Sequence, residues 1–250
     1  RRVADYRLGQ LEKMPNVMLY PESALSAADV AEFGADHVVV ATGARWLAHL
    51  CGANELPAGP VEAPRVYTPD DLAAGVIPEA PVAVFDYDNY YLGSAVAEHL
   101  AGRDRTVTYV TTAGAAAAWG FMTNEQPLVH QSFARRGIAL RTLQIVTGFD
   151  GETLRLAQIF SGEESRIAAR SLVIVGYRAP GSALYEALAS HALPGSLHLT
   201  GDARAPGAIV HAVYQGHRTA RELGLAAADI AVRRDAPFAP RDFQLPEVAE

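Results

Sequence analysis

The sequence is short of residue types that several kinds of protein chemistry require. Among its 250 residues it has one cysteine, Cys51, and one lysine, Lys13. A single cysteine excludes an internal disulfide, and it excludes an iron–sulfur cluster whose ligands all come from this chain. A single lysine leaves neither a Walker lysine nor a Schiff-base lysine available. Cys51 itself is interpreted as a small hydrophobic residue.

An excess of positive charge and long hydrophobic runs are also missing. The formal net charge is −7, which argues against a broad surface for nucleic acid or anionic membranes. No apolar run approaches the roughly 20 residues that span a bilayer, and residues 1–5 do not resemble a signal peptide. Half of the residues are hydrophobic, which is enough for one large or two modest cores. We therefore expect a soluble cytoplasmic protein with no nucleic-acid or membrane partner.

Phosphate-binding glycines are missing from a segment that otherwise has the pattern of a dinucleotide-binding unit. The pattern predicts a strand at Val82–Phe85, a helix at Gly93–Leu100 and a second strand at Val107–Val110. A working unit carries G-x-G-x-x-G in its first turn, because only glycine lets backbone N–H groups approach a pyrophosphate. The turn here reads DYDNYYLG over residues 86–93. We therefore expect that no nicotinamide nucleotide binds there.

The side chains of this turn have two interpretations. Asp86, Asp88, Tyr90 and Tyr91 are predicted to fill the vacant nucleotide groove and to bond to each other or to water. The alternative is a path for electrons or a docking face for a partner protein, since aromatic residues are enriched at interfaces. Two negative charges about 4 Å apart repel by roughly 4 kcal/mol at an effective dielectric constant near 20. The two carboxylates therefore oppose a diphosphate.

The rest of the chain alternates strands and helices, which predicts an α/β protein. Residues 1–77 and 171–225 are expected to form a discontinuous nucleotide-binding domain, residues 78–170 a second domain inserted into it, and residues 226–250 an extended tail. Further strands are predicted at residues 17–20, 36–41, 138–146, 153–160, 167–175 and 197–200, and further helices at 5–14, 27–32, 124–136 and 208–223. The strands between residues 138 and 175 are predicted to form an antiparallel meander.

Two strand ends, with the insert between them, point to a family. The first reads VVVATGARW over residues 38–46, and the second reads LHLTGDA over residues 197–203. An ATG end followed by a TGD end is typical of flavoproteins of the glutathione reductase type. With DARAP at 202–206 and YQGHRTARE at 214–222, the chain resembles the C-terminal half of the trimethylamine, dimethylamine and histamine dehydrogenases. These belong to the NADH:flavin oxidoreductase and 2,4-dienoyl-CoA reductase group.

This resemblance implies a glutathione-reductase-like pair of Rossmann-type domains, with the N-terminal glycine-rich βα unit missing. It implies ADP, or FAD, at an incomplete site in this part, and FMN and a 4Fe-4S cluster on an N-terminal barrel domain. Electrons would pass to an electron-transferring flavoprotein, and the full-length protein would be a homo-oligomer. The chain would be a structural and nucleotide-binding part of an oxidoreductase that dehydrogenates or demethylates small or N-methylated amines.

Four residues are predicted to bind the cofactor. Thr42 and Gly43 end a central strand, at the edge where open α/β sheets bind ligands, and Gly201 and Asp202 occupy the other such edge. In flavoproteins that the chain resembles, the matching aspartate bonds the sugar or ribityl chain of the cofactor. The alternative role of Asp202 is to cap the helix that follows. No residue of this chain is predicted to be catalytic.

Four further residues, Arg45, Trp46, His211 and His217, lie near these positions or on the last predicted helix. Arg45 and Trp46 are predicted either to stack on an adenine or to close an interface with the barrel domain. His211 and His217 lie six residues apart, which exceeds the i,i+4 spacing of helical metal ligands, so no metal site is predicted.

Two other functions stay open from the sequence alone. One is an NAD(P)H-dependent flavin oxidoreductase, similar to the dienoyl-CoA reductases, whose insert binds nicotinamide through a non-standard turn. The other is a non-catalytic interaction module that kept the fold and lost its ligands.

Overall fold

A computed structural model describes residues 2–51 and 57–225 of the chain. Within these residues there are seven α-helices: α1 Arg2–Leu11, α2 Ala27–Phe33, α3 Pro69–Ala73, α4 Tyr91–Ala101, α5 Gln126–Arg136, α6 Ala183–Leu188 and α7 Ile209–Glu222. The strands are β1 His37–Val40, β2 Ala44–Trp46, β3 His49–Cys51, β4 Pro57–Pro60, β5 Val66–Tyr67, β6 Val82–Asp86, β7 Val107–Thr111, β8 Ala139–Arg141, β9 Gln144–Phe149, β10 Thr153–Gln158, β11 Glu164–Ala168, β12 Ser171–Val175, β13 Arg178–Pro180 and β14 Ser196–Leu199. Single 3₁₀ turns occur at Ala118–Thr123 and Gly201–Ala203.

The main sheet consists of five parallel strands in the order β5-β12-β6-β7-β8. Strands β6 and β12 lie side by side within it, and every residue of both is buried. Their near-continuous apolar sequences, VAVFD and SLVIV, are typical of parallel strands that are covered on both faces. The α/β class with a parallel sheet, predicted from the sequence, is confirmed.

One face of the main sheet packs on helices and the other on an antiparallel meander. Val82 and Val84 of β6 pack with residues of α4 and α5. Ala83 and Phe85 of the same strand pack against the meander β9-β10-β11. Successive side chains of a strand point to opposite faces, so β6 contributes to two hydrophobic cores. The strand therefore ends at a place that is enclosed from both sides.

The strand–helix–strand unit predicted between residues 82 and 110 is confirmed as β6, α4 and β7. The predicted meander is corrected at both ends. Residues 138–146 contain β8 and the start of β9, and residues 167–175 contain the end of β11 and all of β12. Strands β8 and β12 join the parallel sheet instead. Each predicted segment was long enough to hold two short strands with a change of direction, which an apolar pattern alone does not reveal.

The predicted division of the chain into an outer and an inserted domain stays a prediction. Strands β5 and β12 lie just outside the predicted insert, residues 78–170, and yet both pair within the five-stranded sheet. The sheet thus extends across both predicted limits.

A second, smaller sheet is formed by β1 and β14, which are parallel. His37 pairs with Ser196 and Val40 pairs with Leu199. The expectation of a buried strand at residues 36–41 is corrected, because Val40 is buried but Val39 is 40% exposed. In the part of the chain that the structure describes, β1 is paired along one side only, so its surface is covered less than that of β6.

A short antiparallel ribbon of β2 and β13 joins the two sheets. Strand β2 follows β1 along the chain and β13 follows β12. In the ribbon, Arg178 pairs with Trp46 and Pro180 with Ala44. The sequence analysis did not predict this ribbon, because three-residue strands are too short to carry a periodic pattern.

Two remaining predictions concern residues 17–20 and the C-terminal tail. The strand predicted at residues 17–20 is wrong, since these residues have no regular structure. The tail predicted at residues 226–250 lies outside the described residues. Among residues 2–51 and 57–225, no helix has the length and apolar character needed to cross a membrane.

Candidate functional site

The parallel pairing of β1 with β14 brings the four predicted cofactor-binding residues to one place. Thr42 and Gly43 follow the carboxyl end of β1, and Gly201 and Asp202 follow that of β14. Ligands of open α/β sheets bind at this end of the strands. We call these four residues the ligand edge. That a cofactor binds to them remains a prediction.

The space beside the two glycines of the ligand edge is open. Gly43 has φ +76° and Gly201 has φ +61°, a left-handed conformation that glycine adopts without a steric penalty. A Cβ atom added at either position would meet nothing within 4 Å. The backbone at both strand ends is therefore open to close approach by a ligand.

The polar side chains of the ligand edge already have protein partners. The Thr42 hydroxyl donates to the Gly181 carbonyl at 2.5 Å, and the Gly181 N–H donates to the Gly43 carbonyl at 2.8 Å. Asp202 accepts a hydrogen bond from the Gly207 N–H at 3.2 Å and pairs with Arg178 at 3.1 Å. The edge is therefore held in place from within the protein.

The alternative role of Asp202 as the cap of the following helix is corrected. Helix α7 begins at Ile209, and its N-cap is Ala208. Asp202 binds the N–H group one residue before that cap. The ring of His211 accepts from the Ala208 N–H at 3.1 Å instead. Among the described residues, no group of three or more His, Cys, Asp or Glu side chains is arranged to hold a metal ion.

Trp46 lies beside the ligand edge between the main sheet and Arg178. One side of Trp46 packs against the core shared by the main sheet and α4. The Arg178 guanidinium lies 5.0 Å from the centre of its ring, within the range of a cation–π contact. Arg45, the neighbour of Trp46, is exposed. The sequence analysis singled out Trp46 but missed Arg178, whose role depends on the unpredicted ribbon.

A second group of polar side chains closes the ends of β6 and β7. Asp86 is fully buried; it accepts a hydrogen bond from the Asn89 N–H at 3.0 Å and a short one from the Tyr109 hydroxyl. The Thr111 hydroxyl donates to the Asn89 side-chain oxygen at 2.7 Å. We call these four residues, together with Tyr87, the Asp86 corner. Asp86, Tyr87 and Asn89 lie at the turn in which a dinucleotide-binding unit holds its phosphates, and Tyr109 and Thr111 contact them from β7.

Two glycines at the Asp86 corner make room for the protein's own side chains. A Cβ atom at Gly93 in α4 would overlap the carboxyl group of Asp86. A Cβ atom at Gly176, directly after β12, would overlap the ring of Tyr87. Glycine at these positions therefore admits a carboxyl group and a phenol ring, which take the space that a diphosphate requires.

The residues that fill the groove differ in part from those predicted. Asp86 does so, as expected. Tyr90 and Tyr91 instead pack edge-on against each other, with ring centres 5.4 Å apart, and Tyr91 is half exposed. Tyr87 fills the space and was missed. The signal was present in the sequence, since a bulky Tyr87 and a small Gly176 each follow the end of a buried strand.

Burial sets the ionisation of the Asp86 corner. It raises the pKa of Asp86 to about 7, although hydrogen bonds from Tyr109 and Asn89 act in the opposite direction. Burial also raises the pKa of Asp88, against the attraction of Arg178. The pKa of Tyr109 lies well above its usual value because of burial and the nearby Asp86. Burial therefore favours the neutral, protonated form of Asp86.

A cleft of about 510 Å³ lies beside β14 and the end of α7. His37 and Ser196 are in hydrogen-bond contact there at 2.7 Å, and Ser196 contacts His198 at the same distance. His37 and Ser196 are the first residues of their strands, so this cluster begins at the end of the small sheet opposite to the ligand edge. The sequence analysis did not single out these residues.

Comparison with known proteins finds relatives that are named as amine dehydrogenases and amine oxidases. No family model matches the chain. Dimethylamine dehydrogenase of Hyphomicrobium sp. (strain x) is 27% identical over 253 residues, which cover 88% of this chain and 34% of that protein.

Two solved structures are similar in both fold and sequence. The 6-hydroxypseudooxynicotine amine oxidase of Pseudomonas geniculata N1 has a TM-score of 0.84 at 36% identity and covers 90% of this chain and 34% of its own. Histamine dehydrogenase of Rhizobium sp. 4-9 has a TM-score of 0.84 at 31% identity. The match covers 97% of this chain and 36% of the histamine dehydrogenase chain. The chain thus spans about a third of the length of these relatives.

The raised pKa of Asp86 predicts a pH dependence of stability. Between its ordinary value of 3.8 and about 7, the unfolded chain has lost this proton and the folded chain keeps it. The free energy of unfolding therefore falls as pH rises through that window, by up to about 4 kcal/mol. Asp86→Asn, which cannot ionise, should remove this fall in urea denaturation series at about pH 5 and pH 8.

Asp150→Asn is the matched control for that series. Asp150 lies in an exposed turn, where backbone hydrogen bonds lower its pKa, so the fall in stability with rising pH should persist in this variant. Equal pH dependence in the wild-type chain and in Asp86→Asn would contradict the buried, protonated state of Asp86.

The packing at Gly93 is tested by a pair of glycine-to-alanine substitutions in helices. Gly93→Ala forces the Asp86 carboxyl group to move and should lower the free energy of unfolding by about 1–3 kcal/mol. A methyl group added at Gly216 in α7 would meet nothing within 4 Å, so Gly216→Ala should raise stability by up to about 1 kcal/mol. A stabilising or neutral Gly93→Ala in urea denaturation would contradict the close approach.

Proposed function

The chain is homologous to about a third of the dimethylamine and histamine dehydrogenases, and from this premise we propose that it is the nucleotide-binding part of a larger flavin-dependent amine oxidoreductase. The proposal takes the motifs at residues 38–46 and 197–203 as marks of the same group. In it, the chain corresponds to the C-terminal part of the enzyme. The substrate is a small or N-methylated amine.

The division of labour within the enzyme is part of the proposal. FMN and a 4Fe-4S cluster reside on an N-terminal barrel domain outside this chain, and the flavin supplies the chemistry of amine oxidation. The single cysteine is consistent with a cluster held elsewhere, since such clusters need several thiolates. An electron-transferring flavoprotein accepts the electrons, and the enzyme is a cytoplasmic homo-oligomer. The residues of this chain bind the nucleotide and support the architecture of the enzyme, and they take no part in making or breaking bonds of the substrate.

The residues of the ligand edge suit a nucleotide such as ADP. The Asp202 carboxylate accepts one hydrogen bond from Arg178 and one from the Gly207 N–H. A carboxylate has about four acceptor positions, so it can accept a further bond from a sugar hydroxyl. Gly43 and Gly201 offer backbone to close approach. The observation that carries the proposal is this open edge, built by pairing strands that lie more than 150 residues apart.

The Asp86 corner argues against the alternative of an NAD(P)H-dependent reductase. A nicotinamide dinucleotide needs its diphosphate at the end of β6, near the start of α4. That space holds Asp86 and Tyr87, and a carboxylate repels a diphosphate whenever it is ionised. The amine-oxidoreductase proposal therefore stands ahead of the nicotinamide alternative.

Calorimetry on the full-length enzyme tests the nucleotide site. We expect ADP to bind in a one-to-one ratio and Asp202→Ala to weaken its binding by at least about tenfold, because a hydrogen bond to a charged group contributes roughly 1.5–3 kcal/mol. The control is Asp150→Ala, which removes the same charge from an exposed turn and should leave affinity unchanged. Stoichiometric binding of NADH in place of ADP would contradict the proposal, and binding of no nucleotide would favour a non-catalytic module.

A further inference from the structure

Arg178 connects three separate pieces of the chain beside the ligand edge. It belongs to β13, and it donates to Asp202 after β14 and to the Gly207 carbonyl before α7, each at 3.1 Å. Its guanidinium also covers the ring of Trp46 in β2. Only 21% of its side chain is exposed. Arg178 is therefore held from several directions.

The ribbon and Arg178 together cover one side of the ligand edge. The ribbon lies against the end of β1, where Gly181 exchanges hydrogen bonds with Thr42 and Gly43. The side chain of Arg178 extends from the ribbon to the end of β14, where it forms an ion pair with Asp202. The exits of both strands are thereby bridged on the side of Trp46.

The ring of Trp46 is already in contact with two other parts of the protein. It packs, partly buried, against the main-sheet core, and the Arg178 guanidinium lies over its ring. A ring that advanced along the edge toward Trp46 would have to displace the guanidinium, and that displacement would also break the pair with Asp202. The loss of the contact with Trp46 and the loss of the ion pair with Asp202 would both weaken the binding of a ligand that extends past Asp202.

We propose that Arg178 determines the class of ligand at this edge by closing it beside Trp46, so that the edge takes a single nucleoside diphosphate and rejects a dinucleotide with a second ring system. This inference rests on the proposed nucleotide site at Asp202. A flavin dinucleotide is the natural probe, because it contains an ADP half joined to a second, larger ring. Removal of Arg178 frees both the face of Trp46 and one side of the Asp202 carboxylate for that second half.

The test compares ADP and FAD binding to the full-length enzyme by calorimetry, after removal of any bound nucleotide. We expect the wild-type enzyme to prefer ADP, and Arg178→Ala to reduce the ratio of the two affinities by at least about tenfold. Arg178→Lys keeps a positive charge near Asp202 but loses the planar group over Trp46, so an intermediate ratio is expected. Arg166→Ala removes an exposed arginine of β11 and should leave the ratio at its wild-type value.

The outcomes separate this inference from the proposed function. ADP preference in the wild type that is unchanged in both Arg178 variants overturns the role of Arg178 and leaves the nucleotide site standing. Equal affinity of the wild-type enzyme for ADP and FAD also overturns the role of Arg178 and leaves the nucleotide site standing. A wild-type enzyme that binds neither ADP nor FAD overturns both the role of Arg178 and the proposed nucleotide site. Should Arg178→Ala fail to fold by circular dichroism, Arg178→Gln, which is shorter and uncharged but keeps a polar end, must show the same fall in the ratio.

Discussion

The hydrogen-bonded packing of Asp86 against Gly93 is the contact on which the functional account depends. Asp86 ends a fully buried strand and accepts hydrogen bonds from the Tyr109 hydroxyl and the Asn89 N–H. Its carboxyl group packs against Gly93 of α4, where a Cβ atom would overlap it. A dinucleotide-binding unit uses this same position to let a helix N-terminus meet a diphosphate. Here the protein supplies its own acidic group. In the proposed function, the strand–helix–strand scaffold serves as a structural unit without its usual ligand.

With that corner occupied by side chains, the ligand edge of the small sheet is the place where we propose that a nucleotide binds. The two sites differ in their backbone: at the corner, glycines are covered by side chains, whereas at the edge, Gly43 and Gly201 face open space. The ribbon of β2 and β13 joins them, and Arg178 interacts with the acidic groups of both, since it pairs with Asp202 and its charge opposes the rise in the pKa of Asp88 that burial causes. One arginine therefore balances negative charge contributed by both sheets.

Local sequence patterns predicted the parts of the fold that depend on local physics. The apolar run of β6 and the helical spacing of α4 were read correctly because burial imposes a short-range pattern. The pairing of β1 with β14 was not predicted, since nothing in either strand alone specifies a neighbour so far away in sequence. Tyr87 and Arg178 were missed because their roles come from Gly176 and Trp46, which are distant in the chain. Strand β12 was assigned to the meander because apolar residues do not reveal which sheet they enter.

A crystal structure of the full-length enzyme grown with ADP and excess NADH tests the central claim most directly. The account predicts density for one nucleotide at the ligand edge, beside Gly43, Gly201 and Asp202, with the Asp86–Tyr109 hydrogen bond intact and no ligand at the end of β6. Density for a nicotinamide dinucleotide across Asp86 and Asp88, with Tyr87 moved away from Gly176, would contradict it.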